Sequence, residues 1–183
     1  DWRPKRLVRT VLASMACALI FGQQMLREAK RRRFFEAPAR AFLGDGLPWN
    51  WSIWKRCFRT FTPILDFIHV LSYLFVAAKA VHAASPTDAW EQYLAWMRGC
   101  WRGEVAQVLE ELRHWQTKLG EPPQDAAESD PRAIVAKTIT YLHNNQSRMN
   151  YPEYRRQGMP VTTAWMESTV KEINYRVKGT EMY

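Results

Sequence analysis

Two short apolar runs that each end in an acid limit what this chain can fold into. RAFLGDG (residues 40–46) stops at a Gly-Asp-Gly turn, and TPILDF (residues 62–67) reaches Asp66 just before a helical stretch. Runs of this length bounded by turn residues read as buried strands. Between them Pro48 can open a helix whose apolar face is Ile53, Trp54 and Phe58, beside Trp49 and Trp51. Upstream, LVRTVLAS (residues 7–14) is β-branched and apolar and reads as a strand. Phe21 to Phe35 reads as a helix with Leu26, Ala29 and Phe34 facing a sheet. Downstream, HVLSYLFVAAKAVHAA is apolar nearly all round, which predicts a central, covered helix. The order β, α, β, α, β, α predicts α/β layering with parallel strand pairing. Burying an unpaired carboxylate is costly, so Asp45 and Asp66 call for a partner or a metal.

The pattern changes at SPTDAW (residues 85–90), where Ser85 or Thr87 can cap a new helix and Pro86 can stand near its start. From there to Leu119 the periodicity is helical only, with Trp90, Leu94, Met97, Trp101, Val105, Val108, Leu109 and Leu112 as the stripe. Gly99 and Gly103 predict a bend or break in it. GEPPQDAAESDP (residues 120–131) reads as an exposed linker, and a helix resumes at Pro131 or Arg132 and runs to about Asn144, with Ile134, Ile139 and Leu142 inward. MNYPEYRRQGMP (residues 149–160) reads as an irregular aromatic and basic loop. A final helix is predicted from about Ala164 to Lys178. On it Met166, Val170, Ile173 and Val177 repeat at helical spacing as a buried stripe, and Glu167, Lys171, Asn174 and Lys178 repeat one residue on as a polar face. A solvated face with a Glu167 to Lys171 pair worth about 0.3 to 0.5 kcal/mol accounts for that spacing without any function.

Charge divides the chain. The net charge of +8 is distributed as +7 over residues 1–40, +2 over 41–85, −5 over 86–131 and +4 over 132–183. Two basic ends flanking an acidic middle fit an insertion that faces away from a polyanion approached by the ends. The run Lys30 to Arg33 by itself reads more readily as a solvated cap answering a helix dipole than as a nuclear-localisation or nucleic-acid patch. Three widely spaced cysteines, Cys17, Cys57 and Cys100, with no CxxC, indicate neither a disulfide framework nor a zinc ribbon and fit a reducing, cytoplasmic setting. The apolar stretches around residues 10–22 and 64–84 are too short or are interrupted by Asp66, His69 and Lys79, which argues against a membrane span.

Five ordered words carry a family likeness: KRLVRT, FLGDGLPWNW, ILDFIHVLSYL, NNQSRMNYPEYRRQGMP and ESTVKEINYRVKGTE. From about Lys5 to the last residue the chain resembles bacterial insertion-sequence transposases of the DDE class, in the group distantly related to Mutator elements. The resemblance implies an α/β, RNase H-like core with an all-helical insertion before the last catalytic helix. On that division residues 1–85 hold part of the core, 86–130 the acidic insertion and linker, and 131–183 the helices that complete the core. It further implies that Asp45 and Glu167 are catalytic, metal-binding carboxylates. Asp66 and His69, in LDFIH, would be supporting residues. Mg²⁺ or Mn²⁺ in a two-metal site is implied in the intact enzyme, because hard cations take carboxylate oxygens and activate a water or 3′-hydroxyl for in-line attack on phosphate. DNA, as transposon ends and target, is the implied partner, with a homo-oligomer as a further expectation and no membrane. Lys171, Arg176 and Lys178 would lie along phosphates with Arg148, Arg155 and Arg156 nearby. The location expected is the bacterial cytoplasm, at the nucleoid.

One departure from the pattern stands out. The family's first Asp ends an opening strand, and two further strands and a helix should separate it from the second. Only the predicted strand at Leu7 to Ser14 fits between Asp1 and Asp45, so Asp1 is a poor match. The expectation is therefore a central and C-terminal part of a transposase, inactive alone, whose alternative is a non-catalytic DNA-binding or structural remnant. A hydrolase built on His69 or His143 is disfavoured, since no GxSxG, HExxH or cysteine-based signature occurs. The nine tryptophans read as core by default.

Overall fold

The computed structural model describes residues 11–164. Both short apolar runs are strands, β1 (Ala41–Gly44) and β2 (Thr62–Leu65), and the Pro48 segment between them is helix α2 (Pro48–Cys57). They pair in parallel, in the register Ala41↔Thr62 to Gly44↔Leu65. Helix α1 (Ala18–Arg31) precedes β1, and α3 (Phe67–Val81) follows β2 after a single intervening residue. The helical middle is two helices, α4 (Pro86–Trp101) and α5 (Val105–Leu119), and after the linker come α6 (Pro131–Asn145) and a short α7 (Tyr151–Arg156). The protein is thus α/β, mostly helical, around a two-stranded parallel sheet.

Local chemistry accounts for the boundaries. Pro48, Pro86 and Pro131 each stand in a first helical turn, where the missing N–H costs nothing. Asp66, Ser85 and Asp130 cap α3, α4 and α6, their side chains accepting from the backbone N–H of Ile68, Asp88 and Arg132. The predicted bend between α4 and α5 is a full break at Gly103, whose φ of +84° favours glycine.

Two hydrophobic clusters flank the strands, and β1 alternates between them, Phe42 in one and Ala41 and Leu43 against the other. Phe42 joins Ala29, Ile53, Phe58 and Phe61 between α1, α2 and the sheet. Ile64 and Leu65 join the larger cluster, where Val70, Leu74, Trp96, Val108, Leu112, Val135 and Leu142 meet from α3 to α6. Helices α4 and α5 share this cluster, so the acidic stretch is built into the main core. Each fully buried Leu, Val or Phe there stabilises by about 1.5 to 3 kcal/mol.

Several expectations need correction. Residues 11–17, which include half of the predicted first strand, form no strand, and α1 begins at Ala18 and ends at Arg31 rather than spanning Phe21 to Phe35. β-branched residues favour a strand only when a partner edge takes them up, and none does so here. On α4 the buried residues are Ala89, Trp96, Gly99 and Cys100, while Trp90 is exposed. The indole of Trp96 sits at the core because its Nε1–H donates to Glu111 Oε2 at 2.7 Å. Helix α3 is covered on one side only, leaving Phe75 and Val76 exposed. MNYPEYRRQGMP is not irregular throughout, since Tyr151–Arg156 is helical with Pro152 in its first turn. That turn folds back on β2. Tyr151 Oη donates to the Leu65 carbonyl at 3.1 Å and Tyr154 Oη to the Pro63 carbonyl at 3.4 Å, taking the place of a neighbouring strand.

Candidate functional site

Because Gly44 pairs with Leu65, Asp45 and Asp66 leave the sheet side by side, at the carboxyl ends of parallel strands. The Asp66 N–H still donates to the Gly44 carbonyl at 2.8 Å. Open α/β sheets place their ligand sites at this end of the strands.

Asp45 is half-buried. Its Oδ1 accepts from the Leu47 N–H at 2.9 Å and from Asn50 Nδ2 at 2.5 Å, which ties it to the start of α2. Its other oxygen, Oδ2, has no hydrogen-bond partner among the described residues. The turn beyond is tight: Gly46 has φ of +99°, and a β-carbon there would come within 2.5 Å of the Tyr141 ring. Tyr141 stacks on Tyr73 with centroids 3.8 Å apart, and its hydroxyl donates to the Asp45 carbonyl at 2.8 Å. Burial, and after it the neighbouring Tyr73 and the two aspartates, pushes the Tyr141 hydroxyl well above its usual range, so it stays a proton donor.

Asp66 has the opposite surroundings. It is fully buried and accepts four hydrogen bonds. They come from the Ile68 N–H at 3.2 Å, from His69 Nδ1 at 2.7 Å, from the Thr163 N–H at 3.1 Å and from the Thr163 hydroxyl. With the Phe67 N–H donating to the Val161 carbonyl at 2.9 Å, this fastens residues 161–163 onto the start of α3. The His69 side chain is 40% exposed, and with Nδ1 turned to Asp66 its Nε2 is the nitrogen left for an outside partner.

Glu167, Lys171, Arg176 and Lys178 lie outside the described residues. Glu167 follows Thr163 by four positions, so the Asp66 anchor holds the chain just ahead of it. Among the described residues no three His, Cys, Asp or Glu side chains are grouped to hold a metal ion. Asp66, with all its acceptor positions taken, is a poor ligand. Asp45 Oδ2 is the oxygen a hard cation would find open.

The three described arginines of the predicted DNA set are held by the protein itself. Arg148 lies 4.4 Å from the Trp51 ring and donates to the Asn144 carbonyl at 3.1 Å; partial burial lowers its guanidinium pKa. Arg155 stacks 3.9 Å from the Trp101 ring and donates to that residue's carbonyl at 3.0 Å. Arg156 is exposed and pairs with Glu153. The residues that sequence reasoning passed over are Asn50, Tyr141, Asn145 and Thr163. Asn145 is buried, accepts from Trp51 Nε1 at 2.9 Å and donates to the Tyr141 carbonyl at 2.9 Å. A signal was present in YLHNN, where Tyr141 and Asn145 stand four apart beside the buried Leu142.

No helix among the described residues is long and apolar enough to cross a membrane. Compared with protein-family models, with curated proteins and with solved structures, the chain has no significant match.

Proposed function

We propose that the chain serves metal-dependent phosphoryl transfer on DNA, in the manner of DDE-class insertion-sequence transposases with an RNase H-like core. Asp45 and Glu167 are its metal-binding carboxylates. The observation that carries this reading is the pairing of Gly44 with Leu65, which sets Asp45 at a strand end with one carboxylate oxygen open, next to the anchored lead-in to Glu167. Mg²⁺ or Mn²⁺ bound there supplies Lewis-acid activation of a water or 3′-hydroxyl attacking a phosphodiester. Asn50 and the Leu47 N–H fix the Asp45 rotamer, and Tyr141 holds its backbone. Asp66 orients His69 and ties down residues 161–163.

Residues 11–44 contain no Asp, so no strand-end Asp upstream of Asp45 joins it among the described residues. The non-catalytic DNA-binding reading draws on that, and on the absence of a three-ligand group among the described residues. Iron-directed cleavage separates the two. With Fe²⁺ in place of Mg²⁺ and ascorbate present, the catalytic reading expects backbone cuts near residues 45 and 167 and in bound duplex DNA, suppressed by Mg²⁺ and by Asp45→Asn. Cuts that are absent, or unchanged in Asp45→Asn, would leave only the DNA-binding reading.

A further inference from the structure

The basic run at Lys30 to Arg33 is largely neutralised. Arg31 and Arg32 both pair with Glu28, and Arg33 pairs with Glu36. Elsewhere Arg132 pairs with Asp130 and Arg156 with Glu153. At the C-terminal end of α2 three cations gather on one concavity. Lys55, Arg56 and Arg59 are all exposed, and none has an acid within ion-pair distance among the described residues. With Ser52 they line an open dish of about 590 Å³. A helix C-terminus attracts cations by its dipole, and Arg59 Nε does donate to the Lys55 carbonyl at 2.7 Å. The dipole does not explain why three cations converge on one concavity with no counter-charge among the described residues, when α1, equally basic at its end, carries its own acid.

We propose that Ser52, Lys55, Arg56 and Arg59 form a phosphate-backbone site for duplex DNA. The inference rests on the reading of the chain as DNA-acting and extends it to a surface outside the acidic corner. Asp45 is bonded to the start of α2, while Lys55 and Arg56 stand in its last turn and Arg59 just beyond it. The hydroxyl of Ser52 donates to the Trp49 carbonyl at 2.8 Å, so the phosphate donors of the dish are its three cations.

The test is fluorescence-anisotropy binding of a 30-base-pair duplex to the full chain over a series of salt concentrations. Lys55→Gln/Arg56→Gln/Arg59→Gln is compared with the control Arg31→Gln/Arg33→Gln, whose cations are already paired. The slope of log K against log[salt] should shrink by about 2 to 3 in the triple variant, since each phosphate contact contributes about 0.9, and by less than about 1 in the control. Affinity at low salt should fall at least about tenfold for the triple variant, with an unchanged melting temperature. Equal losses in both variants would overturn the site, because net charge alone would then explain the binding. Equal binding of the wild type to anionic lipid vesicles would overturn the assignment to nucleic acid. A wild-type chain that binds no duplex would remove both this inference and the function it rests on. Duplex binding that needs the dish, without iron cuts at residue 45, would retain the dish and refute only the catalytic reading.

Discussion

Asp45 and Asp66 occupy the same place on neighbouring strands, yet their surroundings give them opposite work. The Asp66 carboxylate is fully buried and saturated by four donors, while Asp45 is half-buried and keeps one oxygen unbonded among the described residues. The turn after β1 enters α2 through Gly46 and Leu47. The turn after β2 runs straight into α3 and is covered by residues 161–163. The comparison teaches that an acid at a strand end is not in itself a site. Free acceptor capacity distinguishes a ligand from a latch.

The largest effect that could break this contrast is on stability. Asp66→Ala strands the Ile68 and Thr163 N–H groups in a buried place and should cost about 3 kcal/mol or more, read from urea unfolding. Asp45→Ala, which removes a half-buried acceptor of two hydrogen bonds, should cost only about 1 kcal/mol. Equal losses would mean that the two acids do the same structural job. Next comes Gly46→Ala, which meets both the positive φ and the Tyr141 ring and should cost about 2 kcal/mol. Pairing it with Tyr141→Ala should return part of that loss, and full additivity would deny the clash.

Thr163→Val should cost about 1.5 kcal/mol and speed hydrogen exchange at residues 161–164, with Thr163→Ser restoring protection. If the serine variant exchanges as fast as the valine, the hydroxyl bond to Asp66 is not what fastens this segment. The smallest effect lies away from the corner. Hydrogen bonds from Arg31 and Arg32 hold the Glu28 carboxyl down at about 2, against an ordinary 4.5, and the bond from Arg132 holds Asp130 at about 2, against 3.8. A carboxyl with a lowered folded pKa contributes stability that is complete above its unfolded value and fades as pH falls toward the folded one. Circular dichroism should therefore show the last turn of α1 and the first of α6 fraying between about pH 4.5 and 2, earlier in Arg32→Gln and Arg132→Gln. Identical acid transitions in both variants and the wild type would deny that these ion pairs guard the helix ends.

Much of the corner could be read from particular residues. Pro48, the Gly-Asp-Gly turn and the run Pro63-Ile64-Leu65 delimit β1, α2 and β2 because turn chemistry and apolar runs are local signals. The distant partners of each acid were not readable. Thr163 lies 97 positions from Asp66, and Tyr141 lies 96 from Asp45, and no periodicity links positions so distant. Helix α7 escaped notice for the same reason, since six residues are too few to show a period and the hydroxyl bonds of Tyr151 and Tyr154 to β2 support it from afar.

The central claim is that Asp45 offers a ligand oxygen and Asp66 does not. Electron paramagnetic resonance of Mn²⁺ titrated into the full chain tests it most directly, with Asp45→Asn beside Asp66→Asn under conditions where both remain folded. The account predicts that bound Mn²⁺ falls at least about tenfold in Asp45→Asn, while folded Asp66→Asn retains the greater part of its binding. Unchanged binding in Asp45→Asn together with loss in Asp66→Asn would contradict it.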